Sequence, residues 1–180
     1  FTVSGKMMKR SFIEKALKYN IGQHDSEISG VSIDSRNLKK GELFVAVPGK
    51  KIDGHMFVKE ALDKGAAAVL VSQDVGLKSN RLIRVADTTK ALGQIASAWR
   101  DEFDPLLIGI TGSNGKTTVK ELTLQVLTDR FGKDQVLGTI GNLNNHLGVP
   151  LTLLRLCPTH RYAVVEMGMN HPYEIAYLSH

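Results

Sequence analysis

The sequence predicts an α/β chain: a small N-terminal α/β domain followed by the start of a domain built on a parallel sheet. Three observations predict it. Short β-rich runs alternate with helical patterns between residues 31 and 103. A charged stretch, Asp101-Glu102-Phe103-Asp104, then ends at Pro105, and proline disfavours a helical residue before it. Beyond it lie two apolar runs, residues 106–110 and 162–167, of the kind found in strands buried on both faces of a parallel sheet. The domain boundary is therefore placed near residue 104, giving domains 8–104 and 105–180.

The elements follow in order. Residues 8–19 read as a helix with Phe12, Ile13, Ala16 and Leu17 on one side. Residues 31–33 and 43–47 read as strands, the second ending at the turn Pro48-Gly49. Residues 53–64 carry Phe57, Ala61 and Leu62 at helical spacing, and Gly65 follows as a C-terminal cap. Residues 66–71 and 81–85 read as two more strands. Asp87 can cap a helix running to Phe103, with Leu92, Ile95, Ala96 and Trp99 on its apolar face. In the second domain the strand 106–110 leads through a glycine-rich turn into a helix over 116–130. The strand 162–167 comes next, and a last helix is expected over 174–180. Two such runs, and no more than about three strands in all, are few for a nucleotide-binding parallel sheet, so the sequence is expected to be part of a longer protein. Residues 1–7, which precede the first periodic segment and do not begin with Met, read as an artificial leader.

Composition excludes several classes. With 42% hydrophobic and 23% charged residues the balance is that of a globular protein, not a disordered or fibrous one. The net charge of +5 is spread along the chain and only 6% of residues are aromatic, so a nucleic-acid partner is not expected. No membrane insertion is expected either: the longest uncharged stretch, residues 135–154, is interrupted by glycines, asparagines and Pro150. The first residues lack the apolar block of a signal peptide, so a cytoplasmic location is expected. The single cysteine, Cys157, excludes a disulfide framework, and the six histidines show no i, i+4 pair for zinc.

The strongest motif is Gly109-Ile110-Thr111-Gly112-Ser113-Asn114-Gly115-Lys116-Thr117-Thr118. It follows a strand and opens a helix, the setting a phosphate loop needs. Its glycines let backbone N–H groups converge on phosphate oxygens, and the helix N-terminus adds partial positive charge. This makes the second domain P-loop NTPase-like, with ATP as the expected ligand of Gly112, Ser113, Asn114, Gly115, Lys116, Thr117 and Thr118. Lys116 is placed to reach the outer phosphates and Thr117 to hold Mg²⁺. Glu166, at the C-terminal end of the strand 162–167, is the expected second Mg²⁺ ligand and, with Lys116, the expected catalytic pair. The common pattern has a glycine at the position of Ile110; here it stands one residue earlier, at Gly109.

The loop residues 111–118, with that shifted glycine, resemble those of the Mur ligases and folylpolyglutamate synthases. Asp34-Ser35-Arg36, residues 41–46 and Asp53-Gly54-His55 are similar to the UDP-binding N-terminal domain of Mur ligases that act on muramoyl peptides. Residues 141–154 and 166–175 resemble the branch that adds D-Ala-D-Ala to UDP-N-acetylmuramoyl-tripeptide. The resemblance implies an ATP- and Mg²⁺-dependent amide ligase of peptidoglycan precursor synthesis. ATP would phosphorylate the terminal carboxylate of the muramoyl peptide, and the amine of D-Ala-D-Ala would attack the acyl phosphate. It also implies that Ser35, Lys50, Lys51 and Ile52 contact the uridine and its phosphates, and that Asn144 and Asn145 contact the muramoyl portion; Arg36, beside Ser35, is expected as a phosphate partner because its fork suits phosphate. The family's second metal site, built on a carbamylated lysine and a histidine, and its adenine and amine sites have no counterpart in these 180 residues. The chain alone is therefore expected to be inactive, and to be monomeric. The alternatives are the diamino-acid-adding branch of the same family and a non-catalytic UDP- or nucleotide-binding module.

Overall fold

The computed structural model describes residues 7–19, 25–49 and 52–168. It is mixed α/β and divides into two compact units, Met7–Ile95 and the residues from Ala96 onward. The division falls inside one helix, a few residues before the boundary expected at residue 104.

In the first unit, β1 (Met8–Lys9) pairs antiparallel with β2 (Glu27–Ile28). The helix expected over 8–19 is shorter, α1 (Arg10–Ala16), because Met8 and Lys9 are drawn into that pair. On α1 the buried Arg10 and Glu14 bond to each other at 2.9 Å, one turn apart. The main sheet is parallel throughout, in the order β3 (Val31–Ser32), β4 (Leu43–Val45), β5 (Ala68–Val71), β6 (Leu82–Arg84). β4 and β5 are its inner strands and every residue in them is buried, which is why they read as unbroken apolar runs. Phe44, Ala46, Val69 and Val71 pack with Val58 and Ala61 of α2 (Val58–Asp63). The helix expected over 53–64 begins as a 3₁₀ turn, Gly54–Phe57, because the Asp53 carboxylate accepts the His55 N–H at 2.9 Å and tightens the entry. Gly65 takes φ +84° and ends α2 as a left-handed cap. α3 (Thr88–Asp101) follows β6, its first turn tied back to β4's exit by the Thr88 hydroxyl on the Ala46 carbonyl at 2.8 Å.

Among its described residues the second unit carries a three-stranded parallel sheet in the order β7 (Leu106–Ile110), β9 (Tyr162–Glu166), β8 (Val136–Gly138). α4 (Lys116–Phe131) connects β7 to the β8 segment, and α5 (Gly148–Leu153) lies between β8 and β9. β9 is central, and Ala163, Val164 and Val165 are buried. β7 corrects the sequence expectation. It is an edge strand among the described residues, with Leu106 62% and Leu107 38% exposed, because only β9 borders it. The helix expected over 174–180 lies outside the described residues. No helix of the described residues is long and apolar enough to cross a membrane.

Candidate phosphate-binding site

β7 delivers the chain into the loop Thr111–Gly115, and α4 takes it away. Gly112 (φ +145°) and Gly115 (φ +76°) hold conformations that an L side chain rarely adopts. Gly115 has open space around a notional Cβ, so it is the backbone angle and not crowding that calls for glycine there. The Lys116 ammonium folds back across the loop and donates to the Gly112 carbonyl at 2.7 Å. A strongly solvated cation is thus held over a ring of backbone at the N-terminus of a sixteen-residue helix.

A cavity of about 500 Å³ opens at this point, lined by Ser113–Thr118 together with Asn142, Asn144 and Glu166. Glu166, last residue of β9, projects into it while remaining 2% exposed. Its Oε2 accepts the Thr117 hydroxyl at 3.1 Å and its Oε1 accepts the Asn144 side-chain N–H at 2.9 Å. Its backbone N–H donates to the buried Thr139 hydroxyl at 2.9 Å. Lys116, Thr117 and Glu166, three residues from two elements, therefore meet at one cavity. Oxygen ligands at Thr117 and Glu166 suit Mg²⁺, which takes one or two protein oxygens and completes its shell with water and phosphate. The residues present fit that ion. Among the described residues no group of three or more His, Cys, Asp or Glu could hold a metal by itself.

The two asparagines separate. Asn144 reaches the site, whereas the Asn145 side-chain oxygen accepts the N–H groups of Leu147 and Gly148 at 3.1 and 2.8 Å, as a cap ahead of α5. Lys120 joins the site without having been singled out in the sequence. It is 1% exposed, and its ammonium donates to the Thr139 carbonyl at 3.2 Å. The signal that could have found it is its place three residues after Thr117, on the same face of α4.

The other expected contacts lie in the first unit. Ser35 is buried; its hydroxyl donates to Glu60 at 3.3 Å and its carbonyl accepts Lys64 at 2.7 Å, so it ties the β3–β4 segment to α2. Arg36 is exposed and forks onto Asp34, at 2.9 and 2.7 Å. That guanidinium holds the Asp34 carboxyl down to about 2. Ile52 is exposed, and Lys50 and Lys51 lie outside the described residues. Nearby, His55 bridges Asp53 and the Ser72 N–H, which it accepts through Nε2 at 2.9 Å, so the imidazole has a structural place.

Residues 110–180 match the Mur ligase middle domain, and residues 27–100 match the Mur ligase family catalytic domain. The chain is 42% identical over 158 residues to the UDP-N-acetylmuramoyl-tripeptide--D-alanyl-D-alanine ligase of Haemophilus influenzae, covering 87% of this chain and 35% of that protein. A crystal structure of MurF from Acinetobacter baumannii superposes with a TM-score of 0.84 at 36% identity, over 98% of this chain and 39% of that one. MurF from Thermotoga maritima, solved in complex with ADP, superposes with a TM-score of 0.74 at 36% identity, over 83% of this chain and 34% of that one. The chain thus spans about a third of the length of the curated relatives it matches.

Proposed function

The chain belongs to the Mur ligase family, carrying its N-terminal and middle domains, and on that premise we propose that it supplies the UDP-sugar and ATP portions of a MurF-type ligase. Residues 8–104 form the UDP-sugar domain and residues 105–180 the first part of the ATP domain. The reaction is the ATP-dependent joining of D-Ala-D-Ala to UDP-N-acetylmuramoyl-tripeptide through an acyl phosphate. The observation that carries this reading is the Thr117–Glu166 contact of 3.1 Å at the mouth of a phosphate loop.

The chemistry follows from charge. A free carboxylate is a poor acyl donor, and phosphorylation gives it a leaving group. Carboxylate and γ-phosphate are both anions, so their approach needs cations fixed in advance. Lys116 exchanges the Gly112 carbonyl for a phosphate oxygen and draws charge off the transferring group. The loop N–H groups and the start of α4 hold the remaining phosphate oxygens. Thr117 and Glu166 would hold Mg²⁺, which when bound would screen the charge of the phosphates. Asn144 holds one Glu166 oxygen, which links the loop expected to meet the muramoyl peptide to the metal carboxylate. In the N-terminal domain Arg36, Lys50 and Lys51 supply the charge for the diphosphate, with Ser35 and Ile52 at the uridine. Arg36 must then be shared with Asp34 or released from it.

The test is phosphate release by the complete gene product from ATP, Mg²⁺ and UDP-N-acetylmuramoyl-tripeptide, with and without D-Ala-D-Ala. Release that requires the dipeptide is expected, falling by at least about a hundredfold in Lys116→Ala and in Glu166→Gln. Release driven by a diamino acid instead would move the protein to the neighbouring branch. Wild-type turnover in Lys116→Ala would sink the catalytic assignment.

A further inference from the structure

Lys120 is the one buried lysine among the described residues, and burial of an ammonium needs a strong local reason. Its Nζ lies 2.8 Å from Glu121 Oε1 and 4.0 Å from Glu166 Oε2, besides donating to the Thr139 carbonyl. The two carboxylates are not equivalent. The Glu121 side chain is 64% exposed and its charge is screened by water, whereas that of Glu166 is 2% exposed. Thr139 closes the arrangement: its carbonyl takes Lys120 while its hydroxyl takes the Glu166 N–H. One helical turn of α4 therefore presents to the same Glu166 oxygen a neutral hydroxyl, Thr117, and a fixed cation, Lys120.

We propose that Lys120 is a positioning residue that makes cation binding at Glu166 conditional on the nucleotide's phosphates. This rests on the reading of Glu166 as a metal-holding carboxylate. The Lys120 ammonium already balances the single buried acid of the site, and the other groups on Glu166, Thr117 and Asn144, are neutral. A divalent cation arriving alone would meet no net negative charge among the buried groups and would sit within a few ångströms of an ammonium, where repulsion in a partly desolvated site is large. Nucleotide phosphates supply the missing negative charge, so metal and nucleotide enter as one complex. Between turnovers Lys120 keeps the carboxylate aimed at Thr117 and free of stray cations.

The experiment measures Mn²⁺ binding to the purified complete gene product by electron paramagnetic resonance, without nucleotide and with AMP-PNP. Wild type is expected to hold Mn²⁺ well only with AMP-PNP. Lys120→Met is expected to bind Mn²⁺ without nucleotide at least about tenfold more tightly than wild type. Lys120→Arg keeps the charge and the nucleotide requirement, and Glu121→Gln changes neither. If Lys120→Met fails to fold, by its thermal melt, Lys120→Gln retains an N–H donor for Thr139 and takes its place. The proposal is overturned if wild type binds Mn²⁺ equally well without AMP-PNP, or if the neutral variants bind it no more tightly than wild type. Glu166→Gln separates the two ideas. If it leaves Mn²⁺ binding in the AMP-PNP complex unchanged, the metal reading of Glu166 falls and this proposal with it. If it abolishes that binding while the Lys120 variants behave as wild type, only the role of Lys120 falls.

Discussion

His160 accepts the Cys157 backbone N–H through Nδ1 at 3.1 Å and sits half-buried near Arg155. Burial, and then the Arg155 charge, push its pKa below the ordinary value of 6.5, against a smaller opposing pull from Asp134. The fold therefore favours the neutral ring. Its contribution to stability is present above the unfolded pKa and is lost as the pH falls through about 6.5 toward the lowered value. Denaturant melts of wild type should show stability dropping as the pH falls below about 6.5. His160→Gln, which keeps an acceptor for Cys157, should flatten that drop; an unchanged slope would assign the pH dependence to other groups. At this scale the sequence is unevenly legible. Glu166 can be found because a carboxylate ending an apolar strand beside a glycine-rich loop has few other uses. Asn145 cannot be told from Asn144, because which asparagine caps α5 and which turns to the cavity is set by backbone angles that the side-chain types do not encode.

The loop between β8 and α5 brings Asn144 to Glu166, and its shape depends on close backbone approach. A Cβ on Gly148 would stand 2.3 Å from the Leu143 carbonyl carbon, against main chain that cannot swing away. Gly148→Ala should thus cost about 1–3 kcal/mol or more in denaturant melts and also weaken nucleotide binding, since the displaced segment carries Asn142 and Asn144. A melt within error of wild type would show that the loop can yield. Gly109 differs: a Cβ there meets the Met167 methyl, the far end of a flexible side chain. The long elements α3 and α4 were legible from their apolar spacing and from the phosphate loop. β8 was not, because Val136–Gly138 is three residues long and carries no period of its own. The exposure of β7 departs from its apolar sequence for a related reason. An apolar run records what a strand can be packed against, while its exposure depends on which neighbours flank it.

Across the whole molecule the two units treat their sheets differently. In the first, the inner strands β4 and β5 are flanked on both sides and fully buried. In the second, β7 has one neighbour among the described residues, and Val119, Leu122 and Val126 of α4 stand exposed along with Leu106. The phosphate loop is thus launched from a strand held on one side. The Leu106 N–H bonds to the Arg161 carbonyl and the Ile110 carbonyl to the Met167 N–H, both at 2.9 Å. In a parallel ladder the intervening residues alternate, so Ile108 also faces β9 while the amides of Leu107 and Gly109 point away from it. Residue-resolved deuterium uptake should reproduce this as a stripe. Leu106, Ile108 and Ile110 should label slowly, Leu107 and Gly109 at close to the rate of a free peptide, and β4 and β5 slowly along their whole length. Slow labelling at Leu107 and Gly109 would reveal a partner strand on that edge in solution, with the loop's launching point braced from both sides.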